Sequence, residues 1–237
     1  MLHAFWSYLH VSSSLLGPRQ PMIPVPEPVA RVAELMAGFH PSWFLCGGWA
    51  ADSWLGRQTR EHQDIDITVL HDDQRALFDH LAGWQLLGHD DNVADDSSEP
   101  WDGRRLDLPA HIHGRPQGTA TANPTTGKGP GFNLEVILNE RSGDDWVFSR
   151  EPRITVPLSR CVQQSPWGVP AVSPEVVIFY KAHPDVWRDS PRVDPRPHDE
   201  LDFLALLPSL RDDQRSWLRE AISLVQPGHP WLERLAE

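Results

Sequence analysis

The chain is poor in cysteine, in positive charge and in long apolar runs, and each shortage excludes something. Cys46 and Cys161 are the only cysteines in 237 residues. Two thiols cannot build a disulfide framework or a zinc–thiolate cluster, which points to a reducing compartment, the cytoplasm by default, and to buried thiols. Lys and Arg total 21 against 33 Asp and Glu, for a formal net charge of −12. That balance opposes binding to duplex nucleic acid through phosphate neutralisation and suits a cationic small molecule better. The apolar opening Met1–His10 has no basic stretch before it and no long hydrophobic run after it. It reads as neither signal peptide nor membrane span. Met22 offers a more conventional start, so residues 1–21 are expected to be a poorly ordered, dispensable extension.

Hydrophobic residues make up 40% of the chain, with 11 Trp, 23 Pro and 16 Gly. Such a composition predicts a folded core joined by long connections. Val29, Val32, Ala33 and Met36 follow helical spacing up to Gly38. Trp43–Cys46 reads as a short buried strand, Gly47-Gly48 as its exit turn, and Trp49–Leu55 as a helix closed by Gly56. Further strands are expected over Asp64–Leu70, Trp84–Leu87, around Arg105–His113 and over Phe132–Leu138, with a helix over Asp72–Leu81. Mobile loops are expected between residues 88 and 131. Beyond them, Ser173 is placed as the cap and Pro174 as the first residue of a helix through Ala182, and helices run from near His198 past Arg211 to Val225. No internal repeat is present. Mixed strands and helices followed by helices alone predict an α+β fold, with a core over residues 22–165 and a helical C-terminal lobe over 166–237.

The stretch from Gly47 to Asp66 carries the chemistry. Side chains alternate along a strand, so Asp64 and Asp66 share one face while Ile65 and Ile67 enter the core. Paired carboxylates repel unless a cation lies between them, and their oxygens suit Mg²⁺. Gly47 and Gly48 at the start of a helix would present backbone N–H groups and the positive end of the helix dipole to phosphate oxygens, with no Cβ in the way. A third carboxylate should come from a neighbouring strand. Glu135, the only charged member of its apolar strand, is preferred over its rival Asp107 in Leu106-Asp107-Leu108. The arrangement fits in-line nucleotidyl transfer with pyrophosphate release.

Several residues have two readings. Arg60, beside Thr59 and His62, could meet phosphate or pair with Asp52 or Glu61. Lys181 could reach the triphosphate or stand solvated at a helix end, and Asp199 and Asp202 could flank the site, with helix capping the favoured role for Asp199. Trp49, Trp54 and Cys46 are read as core. His183-Pro184-Asp185 lacks the Asn of a kinase catalytic loop, Gly127-Lys128-Gly129 lacks the rest of a P-loop, and His111-x-His113 lacks further zinc ligands, so each reads as loop or surface.

The run Gly-Gly-Trp-Ala-Ala-Asp-x-x-Leu-Gly-Arg-x-Thr-Arg-x-His-x-Asp-Ile-Asp over 47–66 resembles the polymerase-β-like nucleotidyltransferases. It is most similar to the aminoglycoside 2″-O-adenylyltransferase and lincosamide nucleotidyltransferase group. A weaker likeness runs through Trp146–Arg150, Pro174–Lys181 and Arg196–Phe203. Trp49 stands where Ser commonly follows the two glycines, a departure shared with that group. The resemblance implies a small mixed sheet, a Mg²⁺-ATP site built from Gly47, Gly48, Asp64 and Asp66, and transfer of AMP, or of another NMP from its triphosphate, to a hydroxyl of a small molecule of the aminoglycoside-like antibiotic kind. Two alternatives stay open: a relative of toxin or antitoxin type that modifies protein or RNA, and a non-catalytic nucleotide-binding module. The sequence leaves the oligomeric state undetermined.

Overall fold

The structure is a computed structural model and describes residues 23–90, 98–118, 129, 131–182 and 195–236. The expected extension over 1–21, the His183-Pro184-Asp185 triplet, Gly127-Lys128 and most of the acidic run after Asp90 lie outside the described residues. The chain begins with α1 (Glu27–Leu35), β1 (Trp43–Leu45), α2 (Gly47–Leu55), β2 (Ile65–Leu70) and α3 (Gln74–His80). Next come β3 (Trp84–Asp90), β4 (Glu99–Pro100), β5 (Ala110–Pro116), β6 (Leu134–Ser142), β7 (Asp145–Val147) and β8 (Thr155–Pro157). The remainder holds α4 (Leu158–Cys161), β9 (Val162–Gln164), β10 (Pro170–Val172), α5 (Pro174–Ala182), α6 (Pro197–Leu206), α7 (Asp212–Val225) and α8 (Trp231–Arg234).

The principal sheet runs β4-β3-β5-β6-β2-β1-β10-β9, with β7 and β8 continuing from the far end of β6. It is mixed: β2 lies parallel to β6 and β1 parallel to β10, and the other neighbours are antiparallel. This is the expected α+β architecture. Helix α2, which follows directly on the end of β1 beside the start of β2, packs on the C-terminal helices α5 and α6. Three details differ from the sequence reading. The strand expected around Arg105–His113 begins only at Ala110, because Arg105 and Asp107 are exposed in the loop before it. A short strand, β10, appears where helices alone were expected; it joins the sheet beside β1 and pairs on its other side with β9, at the end of the core region. Ser173 does not cap α5 with its side chain: its hydroxyl is buried with no hydrogen bond among the described residues, and its carbonyl accepts from Val176 and Val177 instead.

The core is one cluster that runs from α1 through the sheet to α7 and α8, and Ile65, Ile67, Val136 and Ile112 of the sheet are almost fully buried in it. A polar knot crosses it. Asn139, 5% exposed, donates to the Thr68 hydroxyl, while its Oδ1 accepts from Trp146 Nε1 at 2.6 Å and from the Tyr180 hydroxyl at 2.9 Å. These bonds tie β2, β6, β7 and α5 together, and buried polar groups are costly when a partner is lost. Replacing Asn139 by Leu removes the acceptor from two buried donors. Stability is expected to fall by about 2–4 kcal/mol, read as a lower urea midpoint at unchanged m-value.

Candidate active site

The site forms where β1 ends and where β2 and β6 begin. Along β2, Ile65 and Ile67 are buried in the core and Asp66 points to the other face. The parallel register sets Asp66 opposite Glu135 on β6. Asp64 precedes the strand, and its carbonyl is fixed by a hydrogen bond from Trp49 Nε1 at 3.0 Å. One carboxylate oxygen from each of Asp64, Asp66 and Glu135 lies within 4.8 Å of the others. Asp107, the rival third carboxylate, is exposed in the loop ahead of β5 and is not part of this group. Three like charges this close repel strongly. An all-oxygen donor set of this charge fits a hard divalent cation such as Mg²⁺.

Helix α2 starts directly at Gly47, and no side chain caps it. The first N–H groups of a helix have no partner within it, so those of Gly47 and Gly48 stand at a positive helix end beside the carboxylates. The Cys46 N–H donates to the Asp66 carbonyl at 3.0 Å, which ties this turn to β2. Both glycines are required by crowding. Gly47 has φ +62°, and a Cβ there would lie 1.9 Å from Asp66 Oδ2. A Cβ on Gly48 would fall 2.5 Å from Arg60 Nη2 and from His62 Cε1. The turn is therefore the floor on which Asp66, Arg60 and His62 rest. Gly56, also at positive φ, closes α2 as the sequence predicts.

Arg60 pairs with neither of its sequence-proposed partners. Asp52, fully buried, is taken by the Thr59 hydroxyl at 2.5 Å and by His62 Nε2 at 2.7 Å. Arg60 Nη2 instead lies 3.5 Å from Asp202 on α6, and Nη1 donates to the Glu61 carbonyl. Nor is Lys181 solvated. It is buried on α5, with Nζ 3.0 Å from Asp199 and 2.6 Å from Asp202. Asp199 thus serves as an ion-pair partner rather than a helix cap. The two cations share the acids of α6 and link the C-terminal helices to the glycine turn.

Trp49 does more than fill the core: besides holding Asp64, its ring lies against His62 with centroids 4.3 Å apart. Trp54 donates to the Val172 carbonyl and so binds α2 to β10. Both cysteines are buried. Burial chiefly, then the negative charges of Asp66, Glu135 and Asp64, push the Cys46 thiol well above its ordinary range. Burial and Glu175 do the same for Cys161. The thiolate is the reactive form, so neither cysteine is expected to react with a disulfide reagent at pH 8 in the native protein. Both should react after unfolding in urea, as a colorimetric thiol count would show.

Residues 28–92 match the protein family described as aminoglycoside-2″-adenylyltransferase. Comparison with curated protein sequences yields no match. Among solved structures, the chain is similar to a crystal structure of ANT(2″)-Ia in complex with adenylyl-2″-tobramycin. Identity is 18%, over 83% of this chain and 95% of that one, with a TM-score of 0.50. A solution structure of the antibiotic-resistance factor ANT(2″)-Ia is 16% identical over 87% of this chain and 94% of that one, also at a TM-score of 0.50. The lincomycin-bound lincosamide antibiotic adenylyltransferase LnuA is 16% identical over 77% and 96%, at 0.49. The structural likeness establishes the fold, and the family match covers the Gly-Gly turn and both aspartates. Over the stretch that holds this signature the chain is similar to the aminoglycoside-2″-adenylyltransferases, and over most of its length it shares the fold of ANT(2″)-Ia.

Proposed function

We propose that the protein transfers AMP from ATP to a hydroxyl of a small, cationic, antibiotic-like acceptor and releases pyrophosphate. The observation that carries this reading is the convergence of Asp64, Asp66 and Glu135 beside the uncapped start of α2. Asp64, Asp66 and Glu135 would hold Mg²⁺, which would supply charge neutralisation to the phosphates. The backbone N–H groups of Gly47 and Gly48 face the triphosphate, and Arg60, lying over Gly48, adds a guanidinium to the same anion. Lys181 holds Asp199 and Asp202 in place, and through Asp202 it sets the position of Arg60.

In the reaction the acceptor oxygen bonds to the α-phosphorus as the bond from that phosphorus to the β-bridging oxygen breaks. Glu135 takes the hydroxyl proton at a carboxylate oxygen. His113 Nε2, 3.4 Å from Glu135 Oε2, orients that carboxylate. The net charge of −12 suits a polycationic acceptor, and the acceptor tobramycin in the related ANT(2″)-Ia complex is of that class. No observation favours a protein or RNA target or a non-catalytic role.

The test compares ATP labelled at the α- or the γ-phosphate, incubated with Mg²⁺ and a panel of aminoglycosides and lincosamides. The α-label should appear on an acceptor and the γ-label in pyrophosphate. Transfer of the γ-label instead would mean phosphorylation and would overturn the reading.

A further inference from the structure

His89 on β3 and His111 and His113 on β5 form a second cluster of potential ligands on the sheet. The antiparallel register places His89 directly opposite His111, and His113 is on the same face two residues further along. The ring centroids are 4.4 Å apart for His89–His111, 4.5 Å for His89–His113 and 4.9 Å for His111–His113. One nitrogen from each ring lies within 4.8 Å of the others. His89 and His113 are 5% and 7% exposed, while His111 is half-buried and leaves the cluster open to solvent on one side.

His113 points to a ligand. Its Nε2 faces Glu135, and its other ring nitrogen, Nδ1, is buried with no hydrogen bond among the described residues. A buried polar atom left without a bond is unfavourable. A histidine that ligates a metal through one nitrogen typically donates the N–H of the other to a carboxylate, which fixes its tautomer and orientation. His113 between this cluster and Glu135 has that geometry.

We infer that His89, His111 and His113 form a binding site for a borderline divalent transition cation, Zn²⁺ foremost, separate from the carboxylate site. Imidazole donors select Zn²⁺, Ni²⁺ or Cu²⁺ over Mg²⁺, which prefers oxygen. Three histidines leave a fourth position of a tetrahedral site open, here on the side of His111. The nitrogens must draw together to reach the usual Zn–N distance of about 2.0–2.1 Å, a movement that side-chain rotation on adjacent strands allows. The sheet thus carries two donor sets in one row: oxygens on β2 and β6, nitrogens on β3 and β5. They meet at the His113–Glu135 contact. The inference does not depend on the transfer reaction.

The full chain, stripped with EDTA, is titrated with Zn²⁺ against a chromophoric chelator, and separately with Co²⁺ while visible absorption is recorded. One tight Zn²⁺ per chain and the intense visible bands of nitrogen-ligated tetrahedral Co²⁺ are expected. His111→Gln, at the half-buried position, should weaken Zn²⁺ binding at least about tenfold and abolish the bands, whereas Asp66→Asn should keep both. Zn²⁺ should raise the Tm of the wild type but not of His111→Gln, and the metal-free Tm values report whether each variant folds. No tight Zn²⁺, equal affinity in the wild type and His111→Gln, or loss of the site in Asp66→Asn would each overturn the inference.

Discussion

Asp66→Asn is expected to lower kcat for nucleotidyl transfer by about 10³-fold or more, since metal-assisted charge stabilisation supplies several kcal/mol and each 1.36 kcal/mol is tenfold. Asp66 is the member of the triad most tightly placed: it stands opposite Glu135 in the β-register, its carbonyl holds the turn before α2, and its Oδ2 lies over Gly47. Asn keeps the volume and one oxygen but loses the charge. Removal of one of three crowded negative charges also relieves repulsion, so Tm should be unchanged or slightly raised. A structural role for Asp66 predicts the opposite pair: a clear fall in Tm, with kcat falling only as folded protein is lost. Steady-state kinetics and thermal unfolding on the same preparation separate the two.

Gly47→Ala attacks the same carboxylate through the backbone. The added methyl carbon would sit 1.9 Å from Asp66 Oδ2 and 2.8 Å from its Cγ, closer than real side-chain contacts come, and 3.0 Å from its Cβ. The φ of +62° adds the left-handed penalty of a side chain, about 1–2 kcal/mol. Asp66 lies on a central strand between β1 and β6 and cannot withdraw as a surface side chain would. Its carboxylate must rotate out of register with Glu135, and a displacement of about 1 Å at a catalytic group can lower the rate about 10²-fold. Gly47→Ala should therefore lose activity about 10²-fold or more and stability by about 1–2 kcal/mol, measured by kcat/KM and by urea unfolding. Full activity in this variant would show that Asp66 does not need its place over the turn.

The local parts of this site can be read from the chain order. Gly47-Gly48 and Asp64-Ile65-Asp66 lie close in sequence, and strand alternation alone sends both aspartates to one face. Glu135 stands out because an apolar strand has no other reason to carry a charge. The ion pairs are a different matter. Arg60 finds Asp202 and Lys181 finds Asp199 only once α5 and α6 pack on α2, and nothing near Arg60 in the sequence favours α6 over Asp52. The same limit hid β10: three residues between a turn and a helix carry no periodicity, and their strand character comes from pairing with β1. His111-x-His113 reads as surface because its third member, His89, is supplied by the neighbouring strand. Asn139 likewise gains its role from Trp146 and Tyr180, which reach it across the core.

In the proposed function the three carboxylates carry Mg²⁺-dependent nucleotidyl transfer. Its most direct test is pyrophosphate release from ATP in the presence of an acceptor, measured with and without Mg²⁺ for the wild type and Asp64→Ala. Release should require Mg²⁺ and acceptor in the wild type and be abolished in Asp64→Ala. No release from the wild type with any acceptor, or undiminished release from Asp64→Ala, would contradict it.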